Sequence, residues 1–195
     1  LWSNCPFTFR IPWNQKKPNF LKDQDDVELI KCDKDINLTM QALLDDIDDN
    51  DWVYWCIDDR FPTSIDVEKI SDLYRKINLF DKEGYDFIKP FHNNQPVSSG
   101  KIIHNHFCEQ TYRHEFGFYM HHFCKSIYLK SLFFIKGCNS IYDFHNILCN
   151  NFYKNSVGLR LSPEYKDYIS FEEPCVRGDR TEVGQKYLDL LNISG

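Results

Sequence analysis

The chain has 195 residues, a formal net charge of −6 and an aromatic content of 16 %, with 16 Phe and 11 Tyr. That length is enough to bury most of the surface an extended chain exposes, which makes a single domain over residues 1–195 the expectation, and the aromatic content excludes a disordered chain. The acids gather in residues 23–59 and no basic stripe balances them, which excludes a nucleic-acid binder, since such affinity comes from neutralising phosphates.

In chain order, Phe7, Phe9 and Ile11 alternate with Thr8 and Arg10 among Pro6, Pro12 and Pro18, which predicts a short strand leaving a Pro-rich loop. Val27, Leu29 and Cys32 predict a second strand ending near residue 32. Ile36, Met40, Leu43, Leu44 and Ile47 then recur at helical spacing, and the charged run Asp48-Asp49-Asn50-Asp51 reads as a solvated turn. Next comes Trp52-Val53-Tyr54-Trp55-Cys56-Ile57, a β-branched and aromatic run too short for a buried helix, and therefore a strand expected to be covered on both faces. It stops at Asp58-Asp59-Arg60. Ligands of open α/β sheets bind beyond the carboxyl ends of strands, and paired hard oxygen donors suit Mg²⁺ or Mn²⁺ bridging to phosphates. The competing reading is a plain turn, with Asp bonding its own backbone and Pro62-Thr63 following.

Ser64 or Asp66 can cap a second helix whose apolar stripe is Val67, Ile70, Leu73, Tyr74 and Ile77. Gly84 breaks it, and Tyr85 to Pro90 read as a strand, followed by a polar surface loop from Phe91 to Gly100. Ile102–Phe107 and Thr111–Phe118 are expected to pair as a hairpin across Cys108-Glu109-Gln110. His121–Ile135 reads as a helix stopped by Gly137, with Phe123, Ile127, Leu132, Phe134 and Ile135 in the core, and Ser140–Phe152 as a further helix packed against it. Tyr168–Phe171 reads as a strand, 172–180 as a polar loop, and Thr181–Leu191 as a helix. That order places Arg177 and Arg180 near a helix N-terminus, a natural anion site. Strand and helix alternate throughout, which favours an α/β architecture.

The eight cysteines include no CxxC and no close pair, which points to a reducing, cytoplasmic setting rather than a disulfide framework. His104, His106, His114, His121, His122 and Cys124 do not meet the paired spacing of a zinc site. No apolar run reaches the ~18 residues that suggest a membrane span, and no signal peptide is visible.

The succession helix, strand, Asp58-Asp59, helix resembles the GT-A-type nucleotide-sugar glycosyltransferases, in which a DxD-like carboxylate motif at a strand end holds a divalent cation on the donor diphosphate. The likeness is strongest over residues 1–80 and covers glycosyltransferase-like proteins of bacteria and large viruses. It implies a GT-A-like mixed sheet flanked by helices. It also implies a nucleotide-sugar donor, a glycan or lipid-linked acceptor, and Mn²⁺ or Mg²⁺ as cofactor, with Asp59 on the metal and Asp58 on the ribose or a metal-bound water. Two departures stand out. Arg60 occupies the place where the family carries a further acid, and a guanidinium there can itself neutralise phosphate. The chain also starts near what reads as the second strand, so the family's first strand and helix are expected to be missing. Gly137 to His145 looks like the family's turn and acid-bearing helix, which implies Asp143 or His145 as the base, with Glu115 in reserve. A metal-dependent phosphoesterase or a catalytically silent binding module of the same fold are the alternatives; the former would need a second set of metal ligands.

Overall fold

The computed structural model describes residues 5–18, 25–56, 60–92, 102–104, 106–111, 121–134, 156–173, 175–176 and 179–190. Within these the chain is mixed α/β. The strands are β1 (Phe9–Trp13), β2 (Val27–Lys31), β3 (Trp52–Trp55), β4 (Phe61–Ile65), β5 (Phe87–Lys89), β6 (Ile102–Ile103), β7 (Phe107–Thr111), β8 (His122–Lys125), β9 (Val157–Leu161), β10 (Ile169–Glu172), β11 (Cys175–Val176) and β12 (Asp179–Arg180). The helices are α1 (Ile36–Leu44), α2 (Val67–Lys82), α3 (Ser126–Phe133) and α4 (Glu182–Leu190). A six-stranded sheet has the order β3-β8-β5-β9-β7-β6, and β1-β2, β4-β10 and β11-β12 form separate pairs. The sheet is mixed, because β9 pairs parallel with β5 and antiparallel with β7. By internal contacts the chain divides into two compact units, Leu1–Val53 with Cys124–Lys154, and Tyr54–Phe123 with Asn155–Gly195.

In the first unit β1 and β2 run parallel, Arg10 opposite Glu28. Asp35 caps α1 by accepting from the Asn37 and Leu38 amides, and Met40 and Leu44 are the residues α1 buries. The acidic turn after α1 does more than solvate. Its backbone receives the N-terminus of α3: the Ser126 amide donates to Asp51 O (2.8 Å), the Ile127 amide to Asp49 O (3.1 Å) and the Ser126 hydroxyl to Asp48 O (2.5 Å). Those bonds satisfy donors a helix start leaves open, and the carboxylates nearby suit its positive end. Lys130, one turn on, donates to Ile47 O and meets Asp49 Oδ1 at 2.8 Å.

In the second unit Asp66 caps α2 through the Lys69 amide (3.2 Å), and the helix buries Ile70, Leu73, Ile77 and Phe80. Val67 and Tyr74, expected in that stripe, are instead exposed. Gly84 ends the helix at φ +87°, in the left-handed region where a side chain would strain the backbone. β5 and β9 form the deepest part of the core, with Phe87, Ile88, Leu159 and Leu161 fully buried.

Several expectations are corrected. Pro62-Thr63 is not a turn but the middle of β4, paired antiparallel with β10 beside a register shift at Ser170/Phe171; an irregular two-stranded pairing tolerates the missing proline N–H. The hairpin turns at His104–His106 rather than at Cys108–Gln110, because His104 takes up the left-handed conformation (φ +52°) and Cys108 is buried in β7. His121 to Lys125 opens as strand, not helix: His121, His122, Phe123 and Cys124 are all buried, a two-sided burial that suits an extended chain. Ile127 and Phe134 of the following helical segment are exposed rather than core. The strand at 52–57 is shorter than read, and each residue of β3 is half-buried rather than covered on both faces, since β3 is terminal in the sheet order among the described residues. Cys56 beyond it is exposed. β9 was not anticipated. The further helix over 140–152 lies outside the described residues.

Candidate functional site

β3 carries the chain toward the Asp58-Asp59 pair and stops at Trp55. Tyr54 turns its ring into an aromatic cluster, with centroids 4.6 Å from Phe123 and 6.0 Å from His121, and His121 lies 4.3 Å from Phe171 of β10. Burial there pushes the Tyr54 phenol well above its ordinary range, so the ring is a neutral wall. Asp58 and Asp59 themselves lie outside the described residues, as do Asp143, His145, Arg177 and Glu115.

Arg60 is described, and so is its partner. Its Nη2 lies 2.7 Å from Glu173 Oε1, both side chains part-exposed. The β4–β10 ladder sets this up, with Ser64 opposite Ser170, Pro62 opposite Phe171 and Phe61 opposite Glu172. The residue after the Asp pair is therefore tied to the residue after β10. Glu173 makes a second join through its carbonyl, which accepts from Thr181 Oγ1 at 2.8 Å; the same hydroxyl accepts from the Gly184 amide at 3.1 Å and so caps α4. Arg180, exposed at the end of the β11–β12 hairpin, stands next to that threonine, opposite Cys175 in the register. Of the two arginines described among those expected at an anion site, Arg60 is paired with Glu173 and Arg180 is exposed in β12. Within 172–180, where a polar loop was expected, Cys175–Val176 pairs antiparallel with Asp179–Arg180.

The donor chemistry of Asp58-Asp59, two adjacent carboxylates, fits a hard divalent cation. Among the described residues there is no cluster of three His, Cys, Asp or Glu that could hold a metal. Cys5, Cys32, Cys56, Cys108 and Cys124 are free thiols, and burial pushes Cys32 and Cys124 above the usual thiol range. No helix among the described residues is long and apolar enough to cross a membrane.

Two hollows were not anticipated. One, of about 140 Å³, lies at the carboxyl ends of β1 and β2 and is lined by Pro12, Trp13, Asn14, Cys32, Asp33 and Thr39. The Trp13 indole N–H is buried with no acceptor among the described residues, and Lys31 Nζ sits 5.8 Å over its ring. The sequence signal was Pro12-Trp13-Asn14, closing β1, and Cys32-Asp33, just past β2. The other, of about 60 Å³, is lined on one side by Lys69, Asp72, Leu73, Lys76 and Phe80 of α2, and on the other by His104, His106, Phe107 and Tyr168. His106 Nδ1 and Tyr168 Oη meet at 2.5 Å, and the His106 ring stacks 4.3 Å from Tyr165. These residues are far apart in the chain, and no local pattern announces them. Comparison of the chain with family models, with curated proteins and with solved structures finds no match.

Proposed function

We propose that this chain is a GT-A-type glycosyltransferase that moves a sugar from a nucleoside-diphosphate sugar to an acceptor hydroxyl, assisted by Mn²⁺ or Mg²⁺ at Asp58 and Asp59. The observation that carries the reading is the Arg60–Glu173 ion pair on the β4–β10 ladder, which joins the segment after the Asp pair to the segment holding Arg177 and Arg180. Carboxylates for a metal and guanidiniums for phosphate oxygens are the two donor sets a leaving diphosphate needs. The acceptor is a glycan or lipid-linked hydroxyl and the setting cytoplasmic on the same reading.

In the transfer, the acceptor oxygen forms a bond to the anomeric carbon while the carbon–oxygen bond to the diphosphate breaks, and the nucleoside diphosphate leaves with the electron pair. Bound metal supplies charge neutralisation on that diphosphate. Asp143 or His145 takes the acceptor proton. Arg60 keeps further guanidinium N–H donors beside its contact with Glu173, and these can meet phosphate oxygens.

Calorimetric titration with UDP, with and without Mn²⁺, tests the reading. Metal-strengthened binding that Asp59→Asn removes supports it, since an amide lacks the charge a divalent ion demands. No heat in either condition overturns it. Asp143→Asn should leave binding intact and lower turnover of the nucleotide sugar ~10²- to 10⁴-fold, the usual contribution of a general base. One observation favours a second reading, a silent binding module: Glu173 already satisfies Arg60. Nucleotide binding without hydrolysis or transfer would select it.

A further inference from the structure

We infer that the hollow between α2 and the His104–His106 turn binds one small tetrahedral oxyanion, inorganic phosphate or the terminal phosphate of an ester. The inference does not rest on sugar transfer. Size comes first. About 60 Å³ is roughly the room of four to six waters, too little for a nucleotide and enough for a single anionic group.

The donors agree. Burial pushes the Tyr168 phenol up to about 12, so its hydroxyl is protonated where it meets His106 Nδ1 at 2.5 Å. With that hydroxyl as donor, the His106 ring proton sits on Nε2, where a ligand can take it as a hydrogen bond. Lys69 and Lys76 line the same hollow, Lys69 Nζ lying 5.3 Å over the Tyr168 ring. Asp66 holds Lys69 at 2.8 Å and Asp72 holds Lys76 at 2.6 Å, and among the lining residues two ammonium groups stand against the one carboxylate of Asp72. An acceptor-only ligand with several oxygens suits a site whose free polar groups are mainly donors.

The site is also built rigidly. Tyr168 donates its amide to Pro90 O and accepts from the Asp66 amide, while His106 accepts from the Ser162 amide. At the rim His104, in its left-handed conformation, is held by Glu83 Oε2 at 2.6 Å and by the edge of Phe80 at 4.9 Å. A bulky residue keeps such a conformation only where its surroundings over-determine it, and such places cluster at ligand clamps. Donors fixed before binding lose little freedom on binding.

The test is titration of the full chain with inorganic phosphate, read by the imidazole nitrogen resonances. A saturable shift of the His106 signals is expected. Lys69→Met and Lys76→Met, both on the part-exposed face of α2, should each raise the dissociation constant roughly tenfold, as the loss of one charge-assisted hydrogen bond does. Tyr168→Phe should weaken binding and release the His106 tautomer. Glycerol phosphate distinguishes the sources: affinity equal to or above that of phosphate assigns the hollow to an ester, lower affinity to the free ion. Absence of a saturable shift, or an unchanged one in the double lysine variant, overturns the proposal. Neither metal nor nucleotide enters the measurement, so its outcome is independent of the transferase tests.

Discussion

Two parallel strand pairs carry the same ladder and rest on different physics. In β5–β9 every paired residue, Phe87 to Lys89 against Gly158 to Arg160, is buried, as parallel strands ordinarily are. In β1–β2 none is; the pattern alternates between exposed and half-buried along both strands. What β1–β2 lacks in apolar cover it recovers in charge. Arg10 reaches Glu28 across the ladder at 3.0 Å, both oxygens of Asp46 at 2.5 and 2.7 Å, and Leu43 O at 2.7 Å, so one guanidinium ties both strands to the end of α1. The first pair should therefore fail through cavities, and the second through acid and salt.

The largest effect is expected in the buried pair. Leu159→Ala removes a side chain that is 0 % exposed and should cost about 2–5 kcal/mol, read as a lower midpoint in urea with an unchanged slope. A cost under about 1 kcal/mol would mean that the core is looser than its burial implies. Arg10→Met should cost about 1 kcal/mol at low ionic strength and less at about 1 M salt, where part-exposed ion pairs are screened. Hydrogen exchange of the β1 and β2 amides reports this locally; equal protection in both salts would break the contrast. The smallest effect concerns pH. The Arg10 hydrogen bonds hold the Asp46 carboxyl down at about 2, from an ordinary 3.8. A folded-state pKa below the unfolded one stabilises above 3.8 and loses that contribution as pH falls toward 2. Asp46→Asn should lower stability near neutrality, where the contribution is fully present, and flatten the profile between about 4 and 2. A profile identical to that of the unmodified chain would assign acid sensitivity to other carboxylates.

Elements with a clean period were legible. β1 and β2 follow their alternating residues, α1 and α2 their apolar spacing, although Ile36, Val67 and Tyr74 of the expected stripes are exposed and Ile47 lies beyond α1, and β10 and α4 their apolar runs. Where the reading failed, a local rule met a tertiary one. Pro62 signals a turn by itself but lies in β4 because β10 is there to pair with it. His121 to Lys125 shows no period, since both faces are buried over His121–Cys124, and a stretch without one does not distinguish strand from helix. Val157, Leu159 and Leu161 do alternate, so β9 was readable. Of the candidate site, the Asp58-Asp59 motif and the arginines came from pattern alone. The Arg60–Glu173 pair and the His106–Tyr168 bond span 113 and 62 positions and have no local signature, because side chains that distant meet only once the sheet exists.

β4 follows the Asp pair directly, yet its partner β10 arrives far later in the chain, as the bond from Thr63 Oγ1 to Ser170 O across 107 positions records. On the ribosome this has a consequence. The N-terminal pairing β1–β2 and the helix α2 can form as they emerge, but the strand beside the Asp pair stays unpaired until nearly the whole chain has been made. Closing so long a loop is slow compared with local helix formation, and an open strand edge in the interval is a template for wrong pairing. Truncated chains ending before β10 should therefore bind chaperones or aggregate through Phe61–Ile65, and the candidate site should be the last part of the molecule to mature.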